Sequence, residues 1–131
     1  MKSILLIQTG GTIAMDVSGD QKPTLNPEKW TKLMYQAIPE LSEIADIKME
    51  RLFFEDSSDI NKKHWAKLAE FISTNYENYD GFVILHGTDT MAYTASALSF
   101  ALQGLDKPII LTGSQVPMSN IRRDARRNLV N

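Results

Sequence analysis

The sequence has no cysteine among its 131 residues, which excludes disulfides, thiolate metal ligands and cysteine nucleophiles without fixing the redox compartment. It also has no long apolar run. After Met1-Lys2-Ser3 only Ile4 to Ile7 are continuously apolar before Gln8, too short for the core of a signal peptide. Nothing approaches the roughly 20 apolar residues that span a bilayer. Neither sign of charge dominates: the formal net charge of -2 favours neither nucleic acid nor an anionic membrane surface. Histidine is confined to His64 and His86, in no spacing resembling H-E-x-x-H, and neither a metal nor a cofactor is expected. Internal repeats, low-complexity runs and linkers are absent too. What remains, 43% hydrophobic and 23% charged, is the composition of one soluble domain with a single core, and a cytoplasmic location is expected.

Along the chain the patterns alternate. Ile4 to Ile7 reads as a strand buried on both faces. Asn26-Pro27-Glu28 opens a helix with Trp30, Leu33, Met34 and Ala37 at helical spacing. Ile47 to Phe54 reads as a second strand, and Asp59 to Tyr76 as a helix whose Trp65, Leu68, Ala69 and Ile72 form a core stripe. Phe82 to Leu85 is a short strand, Met91 to Leu102 an alanine-rich helix, Ile109 to Leu111 a further strand, and the last residues begin another helix. This β-α-β-α-β-α-β order predicts an α/β fold: an open, mostly parallel sheet flanked by helices, with Rossmann-like or flavodoxin-like layering. Sites in such folds gather beyond the carboxyl ends of the strands.

The loops expected there have distinctive chemistry. Thr9-Gly10-Gly11-Thr12 follows the first strand, Asp56-Ser57-Ser58-Asp59 the second, His86-Gly87-Thr88-Asp89-Thr90 the third and Thr112-Gly113-Ser114-Gln115 the fourth. Paired glycines let backbone N–H groups approach a ligand, as an oxyanion requires, and a flanking threonine places a stiff hydroxyl near the same spot, suited to attack on a carbonyl. Each loop also has a plainer reading. Thr9-Gly10-Gly11-Thr12 can be a tight turn whose threonines bond their own backbone, and Thr88 or Asp89 can cap the following helix.

Other sites are disfavoured. No stretch matches G-x-x-x-x-G-K-[ST] or G-x-G-x-x-G, and a Ser-His-Asp hydrolase built on Ser114 and His86 would need a G-x-S-x-G elbow that is absent. Arg122, Arg123, Arg126 and Arg127 form a basic cluster without interleaved aromatics, more consistent with a solvated helix face or an interface than with nucleic-acid binding.

Taken together, "LIQTGGTIA" from Leu6 and "ILHGTDTMAYTASAL" from Ile84 resemble the two threonine signatures of the bacterial-type L-asparaginase family, in order and separation. "DSSDI" at Asp56 to Ile60 and "LTGSQVP" at Leu111 to Pro117 resemble its substrate-loop segments. The similarity covers nearly the whole chain and is greatest to the cytoplasmic type I enzymes.

The resemblance implies roles position by position. Thr12 would be the nucleophile on the side-chain amide of L-asparagine, forming a β-aspartyl enzyme and releasing ammonia. Thr88 and Asp89 would belong to a threonine-lysine-aspartate group, with Asp89 also holding the substrate amino group. Ser57 and Ser58 would bind the substrate carboxylate end, Gly11 and Gly87 would contribute backbone contacts, and Ser114 would line the pocket floor with Gln115 beside it.

The sequence departs from the family pattern in three places. The family's lysine falls beyond the last residue here, and none of Lys62, Lys63, Lys67 or Lys107 lies in a matching segment. A loop tyrosine is missing between Met15 and Trp30, where the aligned stretch reads Asp20-Gln21-Lys22-Pro23. A usual glycine after Asp124 is replaced by Ala125, harmless in a helix but strained in a left-handed conformation.

The implied organisation is a truncated N-terminal α/β domain over residues 1–131, without the family's C-terminal domain. Its uncovered edge strand and apolar patch would favour a homo-oligomer. Two functions are carried forward: asparagine hydrolysis, and a non-catalytic relative that keeps an aspartate- or asparagine-binding pocket. The tRNA-linked amidotransferases share the threonine signatures and form a third, lesser option.

Overall fold

The computed structural model describes residues 1–14, 27–115 and 124–131. Strands β1 (Lys2–Gly10), β2 (Ala45–Glu55), β3 (Gly81–Leu85) and β4 (Ile109–Thr112) form one sheet in the order β2-β1-β3-β4. All three pairings are parallel. The helices are α1 (Pro27–Ala37), α2 (Leu41–Ile44), α3 (Lys62–Asn75), α4 (Met91–Ala101) and α5 (Asp124–Val130). The predicted α/β architecture is therefore observed, with α2 as an unanticipated turn of helix before β2.

Each face of the sheet has its own core. Leu6, Met49 and Leu85 pack with Trp30, Met34 and Ile38 from the α1 region and with Ala125 of α5. On the opposite face Leu5, Ile7, Phe82 and Ile84 meet Leu68 and Ile72 of α3 and Leu98 of α4. Successive side chains of β1 thus enter different cores, which is why its central run is continuously apolar rather than alternating. The helix α1 carries the chain from β1 to β2, and α3 and α4 on the other face carry it back to β3 and β4. The three crossovers share one hand, as a twisted parallel sheet requires.

Boundaries shift where side chains supply local hydrogen bonds. The helix predicted from Asp59 begins instead at Lys62, because the Asn61 side chain accepts from the Lys63 N–H at 3.0 Å while His64 Nδ1 accepts from the Asn61 N–H at 3.1 Å. Asp59 belongs to a preceding 3-10 turn over Ser57–Asp59. The Asn26 cap proposed for α1 lies outside the described residues. Strand β1 runs past its apolar stretch because polar partners wait there: Arg51 Nε donates to Gln8 Oε1 at 2.6 Å and Thr9 Oγ1 to the Leu85 carbonyl at 2.6 Å. No helix among the described residues is long and apolar enough to cross a membrane.

Candidate active site at the strand tips

The loops at the carboxyl ends of the four strands meet closely at their glycines. A Cβ on Gly11, whose φ is +82°, would lie 2.6 Å from the Gly87 nitrogen and 2.7 Å from its Cα. One on Gly87 would lie 2.6 Å from Ser57 Cβ. At Gly113 it would strike the His86 carbonyl and come within 2.9 Å of Met91 Cε. No side chain would fit on any of these three glycines, so the tips of β1, β2, β3 and β4 share one small region.

The residues singled out from the sequence distribute around it. Thr12 opens a 3-10 turn, Thr12–Ala14, closed by the Ala14 N–H on the Gly11 carbonyl at 3.1 Å, with Ile13 and Ala14 buried beneath it. Thr12 itself is half-buried, Ser57 and Ser114 are buried, and Ser58, Thr88, Asp89 and Gln115 are exposed. Thr12 follows Gly11 and Thr88 follows Gly87, so the close approach of the two glycines brings the two threonine segments side by side. Gln115 Nε2 donates to Thr88 Oγ1 at 2.9 Å, tying the β4 loop to the β3 loop. Ser58 is held by Asp56, whose Oδ1 accepts from both the Ser58 N–H at 2.8 Å and its hydroxyl at 2.7 Å. In this arrangement the Ser58 oxygen presents lone pairs, and rotation of its proton away from Asp56 is needed before it donates to an anion.

The capping alternative for Thr88 or Asp89 is overturned. Helix α4 starts at Met91 with Thr90 at the cap position, one residue after the candidate carboxylate.

A buried polar chain behind the site was not anticipated. Trp65 Nε1 donates to Thr94 Oγ1 at 3.0 Å, Thr94 Oγ1 lies 2.8 Å from His86 Nε2, and His86 Nδ1 lies 2.6 Å from the Gly87 carbonyl. Every group is satisfied if Thr94 donates to Nε2 and Nδ1–H donates to Gly87, and this tautomer is assigned from that network. Trp65, read as core from its spacing, is half-buried and ends in this chain. Its stripe placed the ring correctly; helical periodicity carries no information about the indole N–H.

Burial lowers the His86 pKa from its ordinary 6.5, against a smaller opposing pull from the Gly87 carbonyl. The unfolded chain therefore binds the proton more readily than the folded one, and stability falls as pH drops below 6.5. The urea midpoint is expected to decrease between pH 7 and pH 5, with a shallower slope in His86→Gln. Asp80 and Asp106, both shifted below 3.8 and led respectively by the Ser3 N–H and the Tyr76 hydroxyl, weaken the fold only in a separate window under that value. An equal slope in both proteins between pH 7 and pH 5 would remove His86 as the cause.

Helix α5 holds the β4 loop. The Gln115 N–H donates to Asp124 Oδ2 at 2.7 Å and Asn128 Nδ2 to the Gly113 carbonyl at 2.8 Å. Ala125 is wholly buried within this helix, and no non-glycine residue among those described has a positive φ, so the alanine is unstrained. Arg126 pairs with Glu40 at 2.7 Å, an intramolecular use of one member of the basic cluster. Arg122 and Arg123 lie outside the described residues, as do Asp20 to Pro23.

Known proteins share this fold. The family model "Asparaginase, N-terminal" matches residues 3–131. The chain is 46% identical over 131 residues to L-asparaginase 1 of Escherichia coli, covering 99% of this chain and 39% of that protein. It is 42% identical over 134 residues to a glutamyl-tRNA(Gln) amidotransferase subunit of Pyrococcus horikoshii, covering 99% of this chain and 30% of the relative. Among solved structures, L-asparaginase I from Vibrio cholerae superposes with a TM-score of 0.85 at 44% identity, over 99% of this chain and 39% of that one. The chain thus spans less than half the length of these relatives. Its strand order, its threonine-bearing tips and these similarities lead to one assignment: the chain belongs to the asparaginase family.

Proposed function

We propose that this chain supplies the nucleophile side of an L-asparagine amidohydrolase site. The observation that carries the reading is the backbone approach of Gly11 to Gly87, which sets the Thr12 and Thr88 segments against each other. Thr12 Oγ attacks the side-chain amide carbon as its proton passes to a neighbouring base. Backbone N–H groups of the glycine loops face the oxygen that becomes negative. The C–N bond then breaks, ammonia leaves with a proton, and water hydrolyses the β-aspartyl ester to release L-aspartate and free Thr12.

Thr88 and Asp89 form the second hydroxyl and the carboxylate of the activating group, and Asp89 also receives the substrate ammonium. Ser57 and Ser58 take the α-carboxylate, while Ser114 and Gln115 close the β4 side. The lysine of that group comes, on this reading, from polypeptide beyond the segment shared with the relatives. No cofactor enters the chemistry. The protein works in the cytoplasm, as the type I resemblance implies.

A second reading, aspartate or asparagine binding without turnover, is favoured by the Asp20-Gln21-Lys22-Pro23 stretch, which has no phenol to assist the nucleophile. Ammonia release from L-asparagine, measured beside L-aspartate binding, separates the two. Turnover supports hydrolysis and binding alone supports the second reading. A chain that neither binds nor turns over overturns both.

Self-association belongs to the same proposal. Helix α4 carries no charged residue, and Tyr93 and Phe100, seven positions apart on one side, are 67% and 77% exposed. Sedimentation is expected to show an oligomer that Tyr93→Glu with Phe100→Glu converts to monomer. A monomeric parent chain would refute it.

A further inference from the structure

Thr90 takes no part in the chemistry above, yet its hydroxyl is used in an unexpected direction. It sits at the cap position of α4 with φ -124° and ψ 14°, where a threonine ordinarily accepts an N–H from the first helical turn, a bond worth about 1 kcal/mol. It makes no such bond. Its Oγ1 instead donates to the Ser57 carbonyl at 2.7 Å, reaching from the β3 loop to the β2 loop. The same carbonyl accepts the Ile60 N–H at 3.2 Å, the bond that closes the Ser57–Asp59 turn. Both lone pairs of that oxygen are therefore engaged, one within the turn and one from outside it.

Two further contacts of this turn are of other kinds. Asp56 grips Ser58 from within the same loop. Gly87 packs against the Ser57 side chain without a hydrogen bond among those described. Thr90 is β-branched and stiff at its first torsion, so its hydroxyl is a short rigid arm between the two loops. A helix start that forgoes its own cap in favour of a cross-loop bond gives up local stability for placement.

We propose that Thr90 is a positioning residue, its hydroxyl setting the distance from the Ser57-Ser58 turn to the Thr88-Asp89 pair and so governing discrimination in favour of ligands that carry an α-carboxylate. This rests on the reading of Ser57 and Ser58 given under the proposed function.

The test has two arms, both on the 131-residue chain. In the first, with no ligand, amide hydrogen exchange compares the parent with Thr90→Val. The Asp59 and Ile60 amides are expected to lose about tenfold in protection, while the Tyr93 and Thr94 amides, which donate to the Thr90 carbonyl, keep theirs. The reverse pattern, a loosened α4 start and an unchanged turn, would make Thr90 an ordinary cap and overturn the proposal. Thr90→Ala gives the same readout should valine crowd the turn.

In the second arm, calorimetry measures L-aspartate against β-alanine, the same molecule without its α-carboxylate. Thr90→Val is expected to weaken L-aspartate about tenfold and leave β-alanine unchanged, with Thr90→Ser restoring the parent value. Equal weakening of both ligands overturns the discrimination. A parent chain that binds neither ligand refutes the reading of the site, and the exchange arm still decides whether Thr90 anchors the turn.

Discussion

Thr12→Ala is expected to abolish ammonia release, lowering kcat by about 10^4-fold or more, while L-aspartate still binds. The pattern follows from where the residue sits. Thr12 begins a turn whose two following residues, Ile13 and Ala14, are buried, and whose closing bond uses the Gly11 carbonyl and the Ala14 N–H. Removing the hydroxyl disturbs none of these, so the turn survives without its nucleophile. Thr12→Ser retains the attacking oxygen and is expected to keep measurable turnover. Where the chain alone only binds ligand, the comparison is made in the polypeptide extended through the family's lysine segment. Loss of aspartate binding in parallel with turnover would show that Thr12 holds the backbone rather than the reaction, and unimpaired turnover would remove it from the mechanism.

Gly11→Ala is expected to be strongly damaging. Two penalties coincide there. A φ of +82° is disfavoured for any L side chain, and the new methyl would sit 2.6 Å from the Gly87 nitrogen. Neither neighbour is a side-chain end able to rotate away. The sheet tips must separate or the loop must refold, at a cost of roughly 2 to 4 kcal/mol in urea unfolding, with L-aspartate affinity lost as well. Gly104→Ala is the natural control: its φ is +74° but nothing lies within 4 Å of the added atom, so only the conformational penalty applies. Equal losses at the two positions would mean that the meeting of the loops contributes nothing.

The sheet was readable from the sequence because burial on both faces leaves an unbroken apolar signature, and β1 and β3 carry it plainly. Helix α2 was not, since Leu41 to Ile44 is a single turn and offers no repeat of the pattern that would reveal it. The start of α3 differs for another reason: the apolar stripe begins only at Trp65 and does not mark the first turn, whereas the reciprocal bonds of Asn61 and His64 decide where the helix begins. At the site, the threonine and serine positions stand out as hydroxyl residues directly after apolar runs. The Trp65-Thr94-His86 chain does not, because its members come from two helices and a strand end, and only the fold makes them neighbours. Thr90 was hidden by a local rule that it breaks: a threonine before a helix suggests a cap, and nothing nearby in sequence reports that its partner is Ser57.

Loops that rest on one another at their glycines leave little soft layer to compress when a guest arrives. An amino acid settling against Gly11, Gly87 and Ser57 would meet a backbone already in place, so little ordering entropy opposes association. The thermal signature should follow: a modest heat-capacity change on uptake, so that the binding enthalpy varies little with temperature, unlike a site assembled by its ligand.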